Sequence, residues 1–287
     1  MTDFHIIFTM DCESCRPEIN DVALGRRAMR GYADLLEREG WRGTFFVVPE
    51  QLPLMTDLLK ELIAGGHEIG LHFHLETAGY PSPYLGVYSF EEQLEIIGKA
   101  KETYRRALGR EPGSLRPGFC SANDATFPAA HRLGFRQTSV SMPGRKMPRV
   151  AANWAGAPLF AHYAHPHNRF LEGGLDLVEI PPSTDWETMI WGGIHPQDLR
   201  IEFTDAKNHG FLIRKVMKRQ CDENLPLKAL VPITHDIFDY SDPRNFRCET
   251  MQGVIAEIKR YGQELGLKLV GSTLAEAAAA FRKAAKQ

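Results

Sequence analysis

Short, nearly continuous apolar runs alternate along this chain with longer stretches of helical period. The first run, Phe4 to Met10, is rich in aromatic and branched residues and reads as a buried strand that stops at Asp11-Cys12-Glu13. A helical pattern from about Asp21 to Glu39 ends at Gly40, and Thr44 to Val48 is a second apolar strand. A helix from about Leu52 to Ala64 stops at Gly65-Gly66, after which His67 to His72 forms a short strand running into a polar loop. The pattern then predicts a helix from Phe90 to Leu108, a strand or turn ending at Leu115-Arg116, a helix to Arg132 and a strand near Gln137 to Val140. Ser141 to Leu175 is loop-rich. Beyond it come a strand at Leu177 to Ile180, a helix at Thr204 to Arg219 and a strand from Ala229 to Thr234 that ends in His235-Asp236. A helix near Glu249 to Leu265, a strand at Leu267 to Val270 and an Ala-rich helix close the chain.

Strand–helix alternation with continuous apolar strands predicts a parallel sheet covered by helices, an α/β fold. No Gly-, Ser- or Pro-rich linker divides the 287 residues, so 1–287 reads as a single domain. The alternation alone does not choose between an open sheet and a closed barrel. In both, polar residues that follow strand ends gather at the edge where such folds place their sites.

Composition narrows the function classes. The 34 Lys and Arg nearly balance the 36 Asp and Glu, so there is no basic stripe to steer the chain onto nucleic acid. No apolar stretch approaches the roughly 18 residues of a membrane span. The N-terminus lacks a basic segment followed by an apolar one, which sets a cytoplasmic location as the expectation. Five cysteines are too few and too irregular for a disulfide framework. Cys12 and Cys15 do form a C-x-x-C, which leaves redox use as a remote reading.

Chemistry concentrates at four strand ends: Asp11 and Glu13; His72, His74 and Glu76; Arg116; and His235-Asp236. A lone D-x-E is ordinarily a polar turn, and a lone histidine is more often structural than ligating. Four such clusters in one chain outweigh that reading, and a mixed imidazole and carboxylate set is what Zn²⁺ and related divalent ions accept. His162, His165 and His167 crowd the longest irregular region, as a solvated loop or as a lip over the substrate. Trp154, Trp186, Trp191, Tyr80, Tyr84 and Tyr88 serve either packing or stacking on sugar rings. Phe119 and Cys120 read as packing residues.

Taken in order, Thr9-Met10-Asp11-Cys12-Glu13, Gly66-His67-Glu68-Ile69-Gly70-Leu71-His72, Leu115-Arg116-Pro117-Gly118 and Ile233-Thr234-His235 resemble the motifs of the polysaccharide deacetylases, the NodB-homology or carbohydrate esterase family 4 group. Leu269 to Glu276 resembles that family's last strand and helix. The resemblance implies a distorted (β/α) barrel of about seven parallel strands, with a divalent metal at the strands' C-terminal end. It also implies Asp11 as catalytic base, Arg116 as the arginine that orients it, and His235 as catalytic acid. Asp185-Trp186 would supply the acid partner of that histidine. The metal set departs from the family form. Cys12 stands where a second adjacent Asp is usual, so the carboxylate ligand falls to Glu13, with a Cys12 thiolate as the other candidate. His72 matches the first histidine of H-x-x-x-H, but Glu76 replaces the second, so either Glu76 or His74 completes the set.

The function so implied is removal of an N-acetyl or other N-acyl group from an amino sugar, using zinc or alternatively cobalt or nickel. The expected substrate is a precursor or component of a surface polysaccharide. Two alternatives stand beside it: a metal-independent amidohydrolase of the same fold acting on cyclic amides, allantoinase- or imidase-like, and an inactive homologue that only binds saccharides. The sequence carries no signature of oligomeric state.

Overall fold

The protein is described by a computed structural model covering residues 2–76 and 78–285. The first apolar run forms two strands, β1 (Asp3–Ile6) and β2 (Phe8–Cys12), because the chain changes neighbours at Ile7. β1 pairs in parallel with Ala229–Leu230 and Lys268–Gly271. β2 pairs in parallel with Ile233–His235 and with β3 (Gly43–Val47). From β3 the sheet continues through β4 (Glu68–Phe73), β5 (Ser114–Pro117) and β6 (Gln137–Thr138) to Val178–Glu179, every pairing parallel. His162–Tyr163 adds the one antiparallel strand at this edge.

The larger sheet therefore contains seven parallel strands, in the order Ile233–His235, β2, β3, β4, β5, β6, Val178–Glu179. It curls until its ends approach: Ser183 N–H donates to the Val231 carbonyl at 3.1 Å. This is the distorted, mostly parallel barrel that the sequence motifs implied.

Helices clad the outside. α1 (Val22–Glu37) is capped by the Asp21 carboxylate, which accepts from Leu24 N–H. α2 (Thr56–Ala64) is shorter than the predicted helix because Pro53 confines Leu52–Leu54 to a separate 3₁₀ turn. α3 (Phe90–Leu108) carries a full capping box at Ser89 and Glu92 and ends at left-handed Gly109. α4 (Thr126–Arg132), α5 (Ala206–Asp222), α6 (Phe246–Glu264) and α7 (Leu274–Ala284) complete the set. Phe8, Met10 and Cys12 of β2 join the main apolar cluster with residues of these helices. A smaller cluster of Ile7, Phe46, Val178, Ile180 and Val231 is closed by Leu274, Ala277, Ala278 and Phe281 of α7.

Strand alternation decides which residues remain for chemistry. Cys12 goes into the main core, where burial pushes its thiol well up, and this removes it as a thiolate ligand. Cys15 is also a free thiol, so C-x-x-C forms no disulfide. No helix among the described residues is long and apolar enough to cross a membrane.

The loop-rich stretch from Ser141 to Leu175 holds one short antiparallel pair, Lys146–Met147 with Ala152–Asn153, before the edge strand His162–Tyr163. A hairpin of Thr184–Ile190 and His195–Asp198, with a bulge between, follows the return of the chain. Leu199 to Ile201 then lies beside Ile233–His235, with Ile201 N–H on the Ile233 carbonyl and Ile233 N–H on the Leu199 carbonyl. That unpredicted pairing supplies a further wall of the site.

Candidate active site and metal centre

At the C-terminal ends of β2, β4, β5 and Ile233–His235, a cavity of about 240 Å³ is lined by Asp11, Glu13, His72, His74 and His235, among others. Asp11 and His235 are register partners on adjacent strands.

Asp11 Oδ1 accepts from Arg116 Nη1 at 2.8 Å. Arg116 is fully buried, lies over the Phe46 ring at 4.3 Å, and donates also to Thr9 Oγ1 and to both the carbonyl and hydroxyl of Ser139. The guanidinium is therefore fixed on several sides. Burial pushes the Asp11 carboxyl up, but Arg116, His72 and His235 outweigh it and hold the group below its ordinary value.

Glu13, His72 and His74 converge, with one ligand atom from each within 4.8 Å of the others. His72 Nδ1 faces the Arg116 carbonyl at 2.6 Å, and His74 Nδ1 faces Glu76 Oε1 at 3.1 Å. These oxygens only accept, so in the neutral rings both Nδ1 atoms carry the proton and both Nε2 atoms present lone pairs. The two Nε2 atoms lie 3.2 Å apart, and Glu13 Oε2 is 2.6 Å from that of His74. Three electron-pair donors that close repel one another unless a proton or a cation lies among them. Burial draws the His74 pKa down, but Glu13 and Glu76 outweigh it and bring it to about 9. The donor set fits a divalent metal of the zinc class.

Glu76 does not belong to this set. It sits behind His74, accepting from the Nδ1 side and from Arg16 Nη2 at 2.7 Å, so of the two candidates that the motif left it is His74 that joins the converging donors. Arg16 also reaches Glu13 Oε2 at 3.1 Å. Asp236 accepts from Glu13 N–H at 2.8 Å and from Gln51 Nε2, fixing the backbone that presents Glu13. Gly118 leaves room for His74: a Cβ there would lie 2.7 Å from the ring.

His235 Nδ1 lies 2.5 Å from Glu202 Oε1, not against Asp185. Asp185 instead pairs with Lys215 Nζ at 2.7 Å and bonds to Thr188 and Glu187, which corrects the expectation that it partners the histidine. Burial lowers the His235 pKa, but Glu202 more than restores it and the net shift is upward. Glu202 was missed because Asp198 to Glu202 was not read as a strand. Its Leu-Arg-Ile-Glu alternation was the available signal.

The rim also differs from expectation. Phe119 lines the cavity and is 38% exposed, at φ 59°, and Trp191 lines it at 53% exposure and φ 53°. Left-handed backbone at such residues costs on the order of 1–3 kcal/mol each and persists where the surroundings impose it. Trp154 is fully buried, donating from Nε1 to the Cys120 carbonyl at 2.8 Å, so it is packing. Trp186 lies under Arg219 at 4.3 Å and is not on the cavity wall. His162 is buried with Nδ1 on the Phe160 carbonyl, and neither it, His165 nor His167 lines the cavity.

A family model described as polysaccharide deacetylase matches residues 19–138, which include His72, His74 and Arg116 but neither Asp11 nor His235. No curated protein matches the chain. Among solved structures, a putative polysaccharide deacetylase from Mycobacterium smegmatis superposes with TM-score 0.64 at 17% identity, over 98% of this chain and 91% of that one. Puue allantoinase gives 0.65 at 14%, over 98% and 90%. A probable polysaccharide deacetylase from Pseudomonas aeruginosa PAO1 gives 0.60 at 14%, over 98% and 91%. At these identities the likeness is one of fold.

Proposed function

We propose that this chain, whose residues 19–138 match the polysaccharide deacetylase family model, is a metal-dependent hydrolase removing an N-acetyl or other N-acyl group from an amino sugar. The observation that carries this reading is the meeting, in one cavity, of the Glu13–His72–His74 donor set with Asp11 and His235, each tuned by a buried partner behind it, Arg116 and Glu202.

Glu13, His72 and His74 would hold the metal, zinc or alternatively cobalt or nickel. Bound there, such an ion supplies Lewis-acid polarisation of the amide carbonyl and of an attacking water. Asp11, kept ionised by Arg116, receives the water's proton as it attacks. His235, kept charged by Glu202, donates its Nε2 proton to the departing sugar nitrogen. The two groups occupy adjacent strand ends, so base and acid stand beside one another at the cavity. Phe119 and Trp191 offer apolar faces at the rim on which a sugar ring stacks.

The test is acetate release from N-acetylglucosamine by zinc-loaded protein beside Asp11→Asn and His235→Ala, with allantoin as a parallel substrate. Release that needs metal and fails in both variants supports the proposal. Opening of allantoin by metal-free protein would replace it with the cyclic-amide reading. Saccharide binding with no turnover of either compound would leave the inactive homologue.

A further inference from the structure

Part of the cavity lining is cationic. Arg145 belongs to it and is only 6% exposed, yet among the described residues no carboxylate forms an ion pair with its guanidinium; Asp198, which acts on it from farther off, is paired with Arg200. Its hydrogen bonds go to neutral acceptors: Nη1 to the Phe119 carbonyl at 2.7 Å and Nη2 to His195 Nε2 at 2.8 Å. His195 is itself neutral at ordinary pH, because burial above all brings it to about 4, and its Nδ1 lies against the Pro196 carbonyl. Arg145 Nε is buried with no partner. Cys120 also acts on Arg145, but burial raises its thiol, so it provides no anion. Arg200 lines the same cavity, paired with Asp198 at 3.3 Å. Two guanidiniums thus have one directly paired carboxylate between them.

A buried charge without a counter-charge costs several kcal/mol. Structures keep such a group where a ligand brings the missing charge, and arginine suits oxyanions because its planar fork offers several donors to them. Where the cavity faces the donor set, the opposite arrangement holds, with Asp11 and Glu13 each answered by a cation.

We propose that Arg145, with Arg200 beside it, forms an oxyanion subsite, so that the substrate carries a carboxylate or phosphate a short distance from the scissile amide. The proposal rests on the deacetylase reading only for the position of that amide. The subsite itself follows from the unpaired guanidinium. A cavity of about 240 Å³ falls below the roughly 300–1,000 Å³ of drug-sized ligand pockets, which suits one compact anionic body.

Binding and turnover test it separately. Calorimetric titration of metal-free protein with inorganic phosphate and with acetate, at matched ionic strength, should show saturable binding of at least one anion. That affinity should weaken at least about tenfold in Arg145→Gln and be largely retained in Arg145→Lys. In parallel, zinc-loaded protein is given N-acetylglucosamine, its 6-carboxylate analogue and its 1-phosphate. A kcat/KM at least about tenfold higher for one anionic sugar, with that ratio collapsing in Arg145→Gln, supports the subsite and says which oxyanion it takes. If no sugar is hydrolysed while anion binding depends on Arg145, the deacetylase reading fails and the subsite stands. Wild-type protein that binds neither anion overturns the subsite whether or not the variants fold. So does binding that Arg145→Gln leaves unchanged.

Discussion

Replacing Glu76 by alanine separates a carboxylate that binds the metal from one that orients a ligand. In the structure, Glu76 Oε1 takes the hydrogen bond of His74 Nδ1 at 3.1 Å and that of Arg16 Nη2 at 2.7 Å, while the converging atoms belong to Glu13, His72 and His74. Alanine at position 76 leaves all three donors in place. It removes the acceptor that fixes the His74 tautomer and strengthens its Nε2 lone pair. Losing an outer partner of this kind ordinarily lowers metal affinity about 10–100-fold, or about 1.4–2.7 kcal/mol. Glu13→Ala or His72→Ala removes a direct donor from a three-residue set, and the loss should be far larger. The assay is competition for zinc against a chromophoric chelator, with wild type, Glu76→Ala, Glu76→Gln, Glu13→Ala and His72→Ala prepared alike and their folding checked by circular dichroism. The expected order is wild type, Glu76→Gln, Glu76→Ala, then the two ligand variants well below. If Glu76→Ala loses zinc as completely as Glu13→Ala, Glu76 is a direct ligand and the reasoning from the His74 tautomer is wrong.

Other substitutions probe other contacts. Glu202 raises the His235 pKa, so Glu202→Gln should lower it. A general acid must be protonated to act, so the alkaline limb of the kcat–pH profile should move to lower pH; an unmoved limb would detach Glu202 from the acid. Gly118→Ala places a methyl 2.7 Å from the His74 ring and should weaken zinc binding at a stability cost of about 1–3 kcal/mol, measured by chelator competition and thermal unfolding. Trp154→Phe removes the donor to the buried Cys120 carbonyl and should cost about 1–3 kcal/mol in denaturant titration. Unchanged stability there would mean that the left-handed Phe119–Cys120 turn holds without that bond.

What the sequence determined by itself was the alternation and the strand ends. Apolar runs between amphipathic helices specify a covered parallel sheet, because only such an arrangement buries both faces of each run. Asp11, Glu13, His72, His74, Arg116 and His235 were legible because each follows a strand that the apolar pattern marks. The ligand choice between His74 and Glu76 was not legible: they are i and i+2 in a loop, and which one turns inward depends on Arg16 and on the space left at Gly118. Glu202 displaced Asp185 for the same kind of reason. Its partner lies 33 positions away, and the pairing exists because Leu199 to Ile201 hydrogen-bonds along Ile233–His235. Likewise Arg145 is an ordinary basic residue in sequence, and only burial among neutral acceptors leaves its charge without a direct ion pair. Local pattern determines which residues reach the end of a strand. Which of them face one another, and with what charge between them, depends on contacts across the barrel, and those exist only once the sheet has curled.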